Sequence, residues 1–278
     1  MTRERKIYRV ALLSLAAVLA LASTAQVASA QPDLVIRGDV LASQWVVRDE
    51  RLDATFCSVV EGGITPGDHR LLRFTVMAAN LGDTDINIGD PRVHFAANDG
   101  LYELSTCHNH FHFRNYTLDE LVDPTSGKIW RAAKRGFCML DTDPVPDSIG
   151  SEPPRNPQFR SCGTLVDPGN QGISHGWSDT YRFFLGGQYF LLDGGDGQDV
   201  VPPGDYIIRI TVNPPYRKSH QEPCRFLDAA TGLCHALEES NYANNQVIVP
   251  ITIPTHPGRS GSGPAAGANQ PNGEPAEH

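Results

Sequence analysis

Short runs of alternating apolar and polar residues, rich in β-branched and aromatic side chains, recur through the middle of the chain. They are LLRFTVMAAN, FHFRNYTLDELV, QYFLLDG, DYIIRITVNP and NQVIVPITIP. Side chains on one face of a strand recur at every second position, so these runs predict β-strands. Helical periodicity is scarce, and one turn at 118–121 is the only helix that the pattern suggests. The sequence therefore predicts an all-β protein.

Glycine and proline clusters separate these runs and set the predicted domain limits. They occur at GITPGD, LGDTD, DPTSGK, LDGGDG and VPPGD, a spacing typical of a sandwich. Long connections lie between positions 141 and 174. We therefore expect an immunoglobulin-like β-sandwich with long disulfide-braced loops over residues 31–254. Residues 255–278 are rich in Gly, Pro, Ala and Asn, and we expect a disordered tail there.

Residues 1–30 have a different pattern from the rest of the chain. The basic segment TRERKIYR precedes the apolar run VALLSLAAVLALA, and Ala28-Ser29-Ala30 follows before Gln31. This order is typical of a secretory signal peptide that is cleaved after a small residue. A membrane anchor is the alternative, but the apolar run is shorter than the roughly 18 to 20 residues of a membrane span. We expect a secreted protein with no membrane span after signal cleavage.

The net charge of the chain limits the classes of partner that it can bind. Of 23 basic and 32 acidic residues, residues 1–30 hold four basic and one acidic, which leaves a net charge of −12 on residues 31–278. So acidic a surface repels phosphate backbones and anionic lipids, and nucleic-acid binding is disfavoured. Cationic substrates fit this charge.

Six cysteines occur in the chain. In an exported protein six cysteines predict three disulfides, but they permit 15 pairings, and the residues alone do not choose among them. The spacing of ten between the last two favours a local bridge. The cysteines are Cys57, Cys107, Cys138, Cys162, Cys224 and Cys234.

The strongest chemical signal is the segment CHNHFHF, residues 107–113. In a strand, His108, His110 and His112 share one face, while Phe111 and Phe113 point to the other. Three imidazoles on one face predict a metal site for Cu(II) or Zn(II), with copper favoured by affinity. The alternative is a set of surface histidines on an edge strand.

This segment resembles the copper-binding segment of the lysyl oxidase family. Further similar segments follow in the family's order: HRLLRF with AANLGDTD, AKRGFCMLDTD, QGISHGWSDTYR, VPPGDYIIRITVNP and EESNYANN. The resemblance implies that Lys134 and Tyr181 form the cofactor lysine tyrosylquinone, in which a lysine amine adds to an oxidised tyrosine ring. By residue type alone, a solvated surface lysine and a core aromatic remain the alternative.

The resemblance implies a secreted copper amine oxidase. Such an enzyme converts a primary amine, either a small amine or a lysine of a protein, to an aldehyde with molecular oxygen and releases ammonia and hydrogen peroxide. Asp179, two residues before Tyr181, is our candidate for the base that removes the substrate α-proton. The alternative for Asp179 is a carboxylate that caps a turn.

The resemblance also implies disulfide pairings. Its best match pairs Cys107 with Cys162, and Cys57 is then the remaining partner for Cys138. Cys224 and Cys234 lie in an insertion and would pair with each other.

An oxygen-rich segment, ESNYANN, precedes the last predicted strand. Hard oxygen ligands suit calcium, and in the resembled family this segment meets the Asp33-Leu34-Val35 run. An asparagine-rich turn whose side chains bond to their own backbone is the alternative. The possible calcium residues are Asp33, Leu34, Glu239, Asn241, Asn244 and Asn245.

Two other functions stay open from the sequence. DLV, GDYIIRITVNP and ESNYANN also resemble adhesion-related immunoglobulin-like surface modules, which bind metal without catalysis. That resemblance gives no reason for HNHFH, Lys134 or Tyr181. A zinc hydrolase is the third reading, weakened because no carboxylate base stands near the histidines in the sequence.

Overall fold

The computed structural model describes residues 30–145, 156–219 and 223–259. All of the expected signal peptide except Ala30, and most of the expected tail, lie outside these residues. Within them the ordered elements are mainly strands in several small sheets, so the all-β prediction is confirmed at that level. The immunoglobulin-like arrangement stays a prediction.

The elements are mostly strands, joined by turns and by several longer connections. The helices are α1 (Gly38–Ser43), α2 (Cys57–Val60), α3 (Pro91–Ala97) and a 3₁₀ helix (Tyr242–Asn244). The strands are β1 (Leu34–Ile36), β2 (Trp45–Leu52), β3 (Gly67–Phe74), β4 (Val76–Asn80), β5 (Ile86–Gly89), β6 (Tyr102–Ser105), β7 (His110–Phe113), β8 (Thr117–Val122), β9 (Ile129–Arg131), β10 (Asp143–Pro144), β11 (Gln171–Ile173), β12 (Trp177–Tyr181), β13 (Tyr189–Leu191), β14 (Gly204–Val212), β15 (Phe226–Leu227), β16 (Cys234–His235) and β17 (Gln246–Ile253).

Three sheets form the body of the domain, and their strands pair antiparallel. Their strand orders are β1-β4-β12-β10, β13-β3-β2 and β17-β14-β8-β9. Two-stranded sheets add the pairs β11-β5, β6-β7 and β15-β16. The hairpin β6-β7 matters most for function because it carries the histidine segment.

The strand predictions hold, with breaks that the alternation did not show. The run at 71–80 divides at Thr75, whose hydroxyl accepts a hydrogen bond from the Phe183 amide, so β3 and β4 join different sheets. The helical turn predicted at 118–121 is wrong, because these residues pair with β14 and bury Leu121 in the core. The three short α-helices were not predicted.

Buried aromatic rings connect the hairpin to the centre of the domain. Phe113, Tyr116, Phe137 and Tyr181 are almost or completely inaccessible to solvent. The Phe137 ring lies 5.0 Å from the Tyr181 ring and 5.5 Å from the Tyr116 ring, edge to face in both cases. Each such ring contributes about 1.5 to 3 kcal/mol by burial. The surroundings of Tyr181 are therefore rigidly packed.

The disulfide pairings correct two of the three predictions. Cys57 pairs with Cys107 and Cys138 pairs with Cys162, whereas Cys224 and Cys234 pair as predicted. The helix α2 brings Cys57 against the turn of the β6-β7 hairpin, where Cys107 lies. Gln171 holds the Cys162 carbonyl and the Met139 amide, which places Cys162 beside Cys138.

Residues 255–259 extend along the domain beyond the predicted boundary. Gly258 exchanges two backbone hydrogen bonds with Val47, and Arg259 donates to the carbonyls of Ala42 and Ser43. In the described ranges no helix is long and apolar enough to cross a membrane.

Candidate metal and cofactor centre

The histidine segment forms one side of a tight hairpin. Ser105 pairs with His110 and Glu103 with His112, and residues 106–109 form the turn. His108 therefore lies in the turn and not on the strand, which corrects our prediction of a single strand face. The chain reverses there because Asn109 adopts the left-handed conformation (φ 55°), which asparagine tolerates.

The three imidazoles nevertheless converge. One ligand atom from each of His108, His110 and His112 lies within 4.8 Å of the others, and the two Nε2 atoms of His110 and His112 are 3.2 Å apart. Phe111 and Phe113, on the opposite face of β7, are fully buried. The hairpin is thus apolar on its core face and rich in imidazole on the other.

Residues of two neighbouring segments hold the imidazoles of His108 and His112 in place. Ser105 Oγ lies 3.0 Å from His108 Nδ1, and the Glu61 carboxylate lies behind Ser105. His112 packs directly against Gly136, where a β-carbon would come within 2.2 Å of its Nδ1. The glycine leaves the room that the imidazole occupies.

Lys134 and Tyr181, 47 positions apart in the chain, meet in the structure. Lys134 Nζ lies 4.8 Å from the centre of the Tyr181 ring, and both residues are buried. The Tyr181 hydroxyl donates to the Cys138 carbonyl at 2.8 Å and accepts from the Cys138 amide at 2.6 Å. The surface-lysine alternative is therefore wrong, because Lys134 is only 7% exposed.

The charge of Lys134 affects the pKa of two buried carboxyl groups, those of Asp179 and Asp119. Asp179 shares a face of β12 with Tyr181, and burial raises its pKa well above the usual range, although Lys134 and the Leu140 amide partly oppose this. Burial also raises the pKa of Asp119 to about 7, again against the effect of Lys134. Asp179 lies inside β12, so the turn-cap alternative for it is wrong.

One cleft joins the histidine face to the lysine. His108 and His112 line it together with Lys134, Gly136 and Glu103. Tyr181 and Asp179 do not line the cleft and lie beneath it, fully buried. A small molecule in this cleft would contact the imidazoles and Lys134 together.

The oxygen-rich residues gather at the start of β1, as the family resemblance implied. Glu239 accepts from the Leu34 amide at 2.6 Å and from Asn245 at 2.9 Å, and Asn244 donates to Asp33 at 3.0 Å. Burial raises the pKa of Glu239 to about 7. Asn241 caps the 3₁₀ helix through its side chain, as the turn alternative expects.

Three oxygen atoms in this cluster are buried without a donor among the described residues. They are Asp33 Oδ1, Asn244 Oδ1 and Asn245 Oδ1. Unsatisfied buried oxygens cost free energy, and a cation that accepts their lone pairs removes that cost. The cluster therefore fits a calcium ion.

Glu61 and Asp119 were not predicted from the sequence. Nothing in the local pattern could have identified Glu61, which lies 47 positions before His108. Asp119 offered a signal, because it lies in phase with the buried Leu121 on an alternating strand, where a carboxylate is rare.

Comparisons of the sequence with known proteins identify its family. The mouse (Mus musculus) protein "Lysyl oxidase homolog 2" is 28% identical over 195 residues, 66% of this chain and 22% of that protein. "Lysyl oxidase homolog 4" of Homo sapiens is 29% identical over 202 residues, 69% of this chain and 23% of that protein. The chain thus spans under a quarter of the length of these relatives. The lysyl oxidase family model matches residues 52–224, more than half of the chain, and the chain belongs to the lysyl oxidase family.

Proposed function

We propose that this protein is a copper-dependent amine oxidase that converts primary amines to aldehydes with O₂ and releases ammonia and hydrogen peroxide. One observation carries the proposal: a single cleft holds two of the three clustered histidines and Lys134, whose amine lies 4.8 Å from the Tyr181 ring. Membership of the lysyl oxidase family supports it.

His108, His110 and His112 are the proposed copper ligands. Their donor set is three neutral imidazoles, which suits Cu(II), and the one cysteine of the segment is oxidised in a disulfide and offers no thiolate. Water would complete the coordination sphere.

Lys134 and Tyr181 are the proposed precursors of lysine tyrosylquinone. When present, this group supplies a carbonyl that condenses with amines and accepts two electrons from them. The protein holds the Tyr181 oxygen through the Cys138 backbone and packs the ring against Phe137, so the ring has one orientation.

Asp179 is the proposed base for the α-proton of the substrate amine. It shares a face of β12 with Tyr181, and its buried position makes it a stronger base than an exposed aspartate. The base acts beside Tyr181, away from bulk water.

A calcium ion at the Asp33–Glu239 cluster is the proposed structural cofactor. It would tie the first strand to the segment before β17 through oxygens that lack donors. We also propose that residues 1–30 direct export, which matches the three disulfides. N-terminal sequencing of exported protein that does not begin at Gln31 would contradict the predicted cleavage.

The decisive test is a peptide map after copper loading in air. A covalent link between the peptides of Lys134 and Tyr181 is expected, and the Tyr181→Phe variant should lack it. Zinc-loaded protein serves as a second comparison: loss of amine oxidation with zinc agrees with an oxidase, while retained hydrolysis would favour a zinc hydrolase. Active, copper-loaded protein without the link would exclude the cofactor assignment. Protein that binds copper but shows neither the link nor amine oxidation would favour the non-catalytic, metal-binding surface module.

A further inference from the structure

A chain of hydrogen bonds runs from His108 away from the other two imidazoles. Ser105 Oγ lies 3.0 Å from His108 Nδ1 and also accepts from the His108 backbone amide at 3.0 Å. The same Oγ lies 2.8 and 2.9 Å from the two carboxylate oxygens of Glu61. Ser105 is buried, so water does not compete for these bonds.

The number of protons available to His108, Ser105 and Glu61 permits a single arrangement of their hydrogen bonds. A carboxylate only accepts hydrogen bonds, and a serine hydroxyl has one proton to donate. Ser105 must therefore donate to Glu61 and accept from both the amide and Nδ1 of His108. In a neutral His108 the proton then lies on Nδ1, and Nε2 carries the lone pair.

The position of Glu61 is fixed independently of the histidine. Glu61 ends α2, and its carboxylate also accepts from the Cys107 amide at 2.8 Å. The Cys57–Cys107 disulfide joins the start of α2 to the same turn. The helix is therefore attached to the hairpin covalently at one end and by hydrogen bonds at the other.

We propose that Glu61, acting through Ser105, is a positioning residue for the metal centre that fixes the His108 tautomer and presents Nε2 to the ion. Glu61 lines the cleft but is not one of the three clustered ligands, and its proposed effect on the metal acts through Ser105 and His108. The inference rests on the proposed copper site. Partners of this kind orient a ligating imidazole, and their loss typically lowers metal affinity by about 10 to 100-fold.

The test uses two variants in the full-length protein. Glu61→Gln keeps the side-chain shape but offers Ser105 an N–H donor, which frees the hydroxyl proton to turn toward His108 Nδ1 and favours the wrong tautomer. Ser105→Ala removes the bridging hydroxyl and leaves only the direct approach of Glu61 Oε2 to His108 Nδ1, at 3.7 Å. Asp53→Asn is the matched control for charge, because Asp53 precedes α2 and its carboxylate accepts hydrogen bonds from Thr55. Ser126→Ala is the matched control for the hydroxyl, since Ser126 Oγ donates to Asp123 and not to a histidine.

Two measurements separate positioning from folding. Copper affinity, from competition with a chromophoric chelator, should fall about 10 to 100-fold in Glu61→Gln and Ser105→Ala and stay unchanged in both controls. In metal-free protein at about pH 8, nitrogen NMR should show His108 protonated at Nδ1 in the wild type and at Nε2 in Glu61→Gln. Circular dichroism checks that each variant is folded.

The outcomes are distinguishable from those of the proposed function. Wild-type protein that binds no copper contradicts the oxidase, while the NMR tautomer still tests the role of Glu61. A His108 protonated at Nε2 in the wild type, or wild-type copper affinity in both folded variants, would overturn the inference.

Discussion

The β6-β7 hairpin with its three histidines and the Lys134–Tyr181 pair are held in place by different means. The three histidines lie within five positions of the chain, and two of them, His108 and His110, are partly exposed. Their support is one helix, one disulfide and the Ser105–Glu61 hydrogen bonds. Lys134 and Tyr181 come from distant segments, are buried, and are fixed by core packing and by the Cys138 backbone.

This difference indicates that the two halves of the site, the histidine hairpin and the buried Lys134–Tyr181 pair, have different structural requirements. An ion that must arrive from solvent needs ligands at an accessible surface that keep their arrangement without the ion. A group made from the protein's own side chains needs no entry route, but its precursors must be aligned before any bond forms. The following predictions test whether the two halves respond separately.

The largest expected effect concerns the buried half. Tyr181→Phe should lower amine oxidation by on the order of 1,000-fold or more, because no other residue can supply the ring of the cofactor. Copper affinity should stay within about threefold of wild type, since the Tyr181 hydroxyl bonds to the Cys138 backbone and not to a proposed ligand. Peroxide release and copper titration measure the two quantities. Substantial remaining oxidation would contradict the assignment.

The second effect concerns the hairpin. His112→Ala should reduce copper affinity by about 100-fold or more, a greater loss than that expected for an outer partner such as Glu61. The thermal unfolding midpoint of the metal-free variant should change little, because the core face of β7 is intact. His108→Ala and His110→Ala should behave alike. A triple variant that still binds one copper tightly would rule out the site.

A third prediction concerns the pH dependence of stability that arises from the buried Asp119. Asp119 has a pKa of about 7 in the folded protein against 3.8 for an ordinary aspartate, so the folded state binds more protons between these values. Stability from this group is therefore highest below about pH 4 and falls as pH rises through 7. Asp119→Asn should remove about 1 to 3 kcal/mol of this pH dependence, measured by denaturant unfolding at pH 5 and 8. An unchanged slope would contradict the burial argument.

A fourth prediction uses the disulfides. Replacing both Cys57 and Cys107 by serine should lower copper affinity about tenfold, because α2 and Glu61 lose their covalent attachment to the hairpin. Replacing both Cys224 and Cys234 should leave affinity unchanged and cost only stability, about 2 to 4 kcal/mol. Equal copper affinities in the two variants would show that the bridge does not support the metal site.

The smallest expected effect concerns the substrate. The net charge of −12 on residues 31–278 should attract polycationic amines at long range, and salt screens this attraction. The kcat/KM for lysine-rich peptides should therefore fall several-fold between about 0.1 and 1 M salt, and that of a singly charged amine much less. Equal salt sensitivity would indicate that the acidic residues serve solubility and not the cleft.

Local patterns predicted the hairpin half far better than its support. Three histidines at alternate positions predict a metal site because their proximity is already in the sequence. The Lys134–Tyr181 pair needed the resemblance to a family, since nothing local connects the two. Glu61 and the Cys57–Cys107 bridge depend on how α2 packs, and that placement follows from the whole fold. The same dependence explains why two of the predicted disulfide pairings were wrong.

The Cys57–Cys107 bridge has a consequence for the order in which the protein matures. Cys107 directly precedes His108, so a reduced chain would hold a thiolate next to the three imidazoles. Sulfur in that position makes the ligand set soft and favours Cu(I) and zinc over Cu(II). At the proposed copper site, oxidation of Cys107 before metal loading would therefore keep sulfur out of the ligand set.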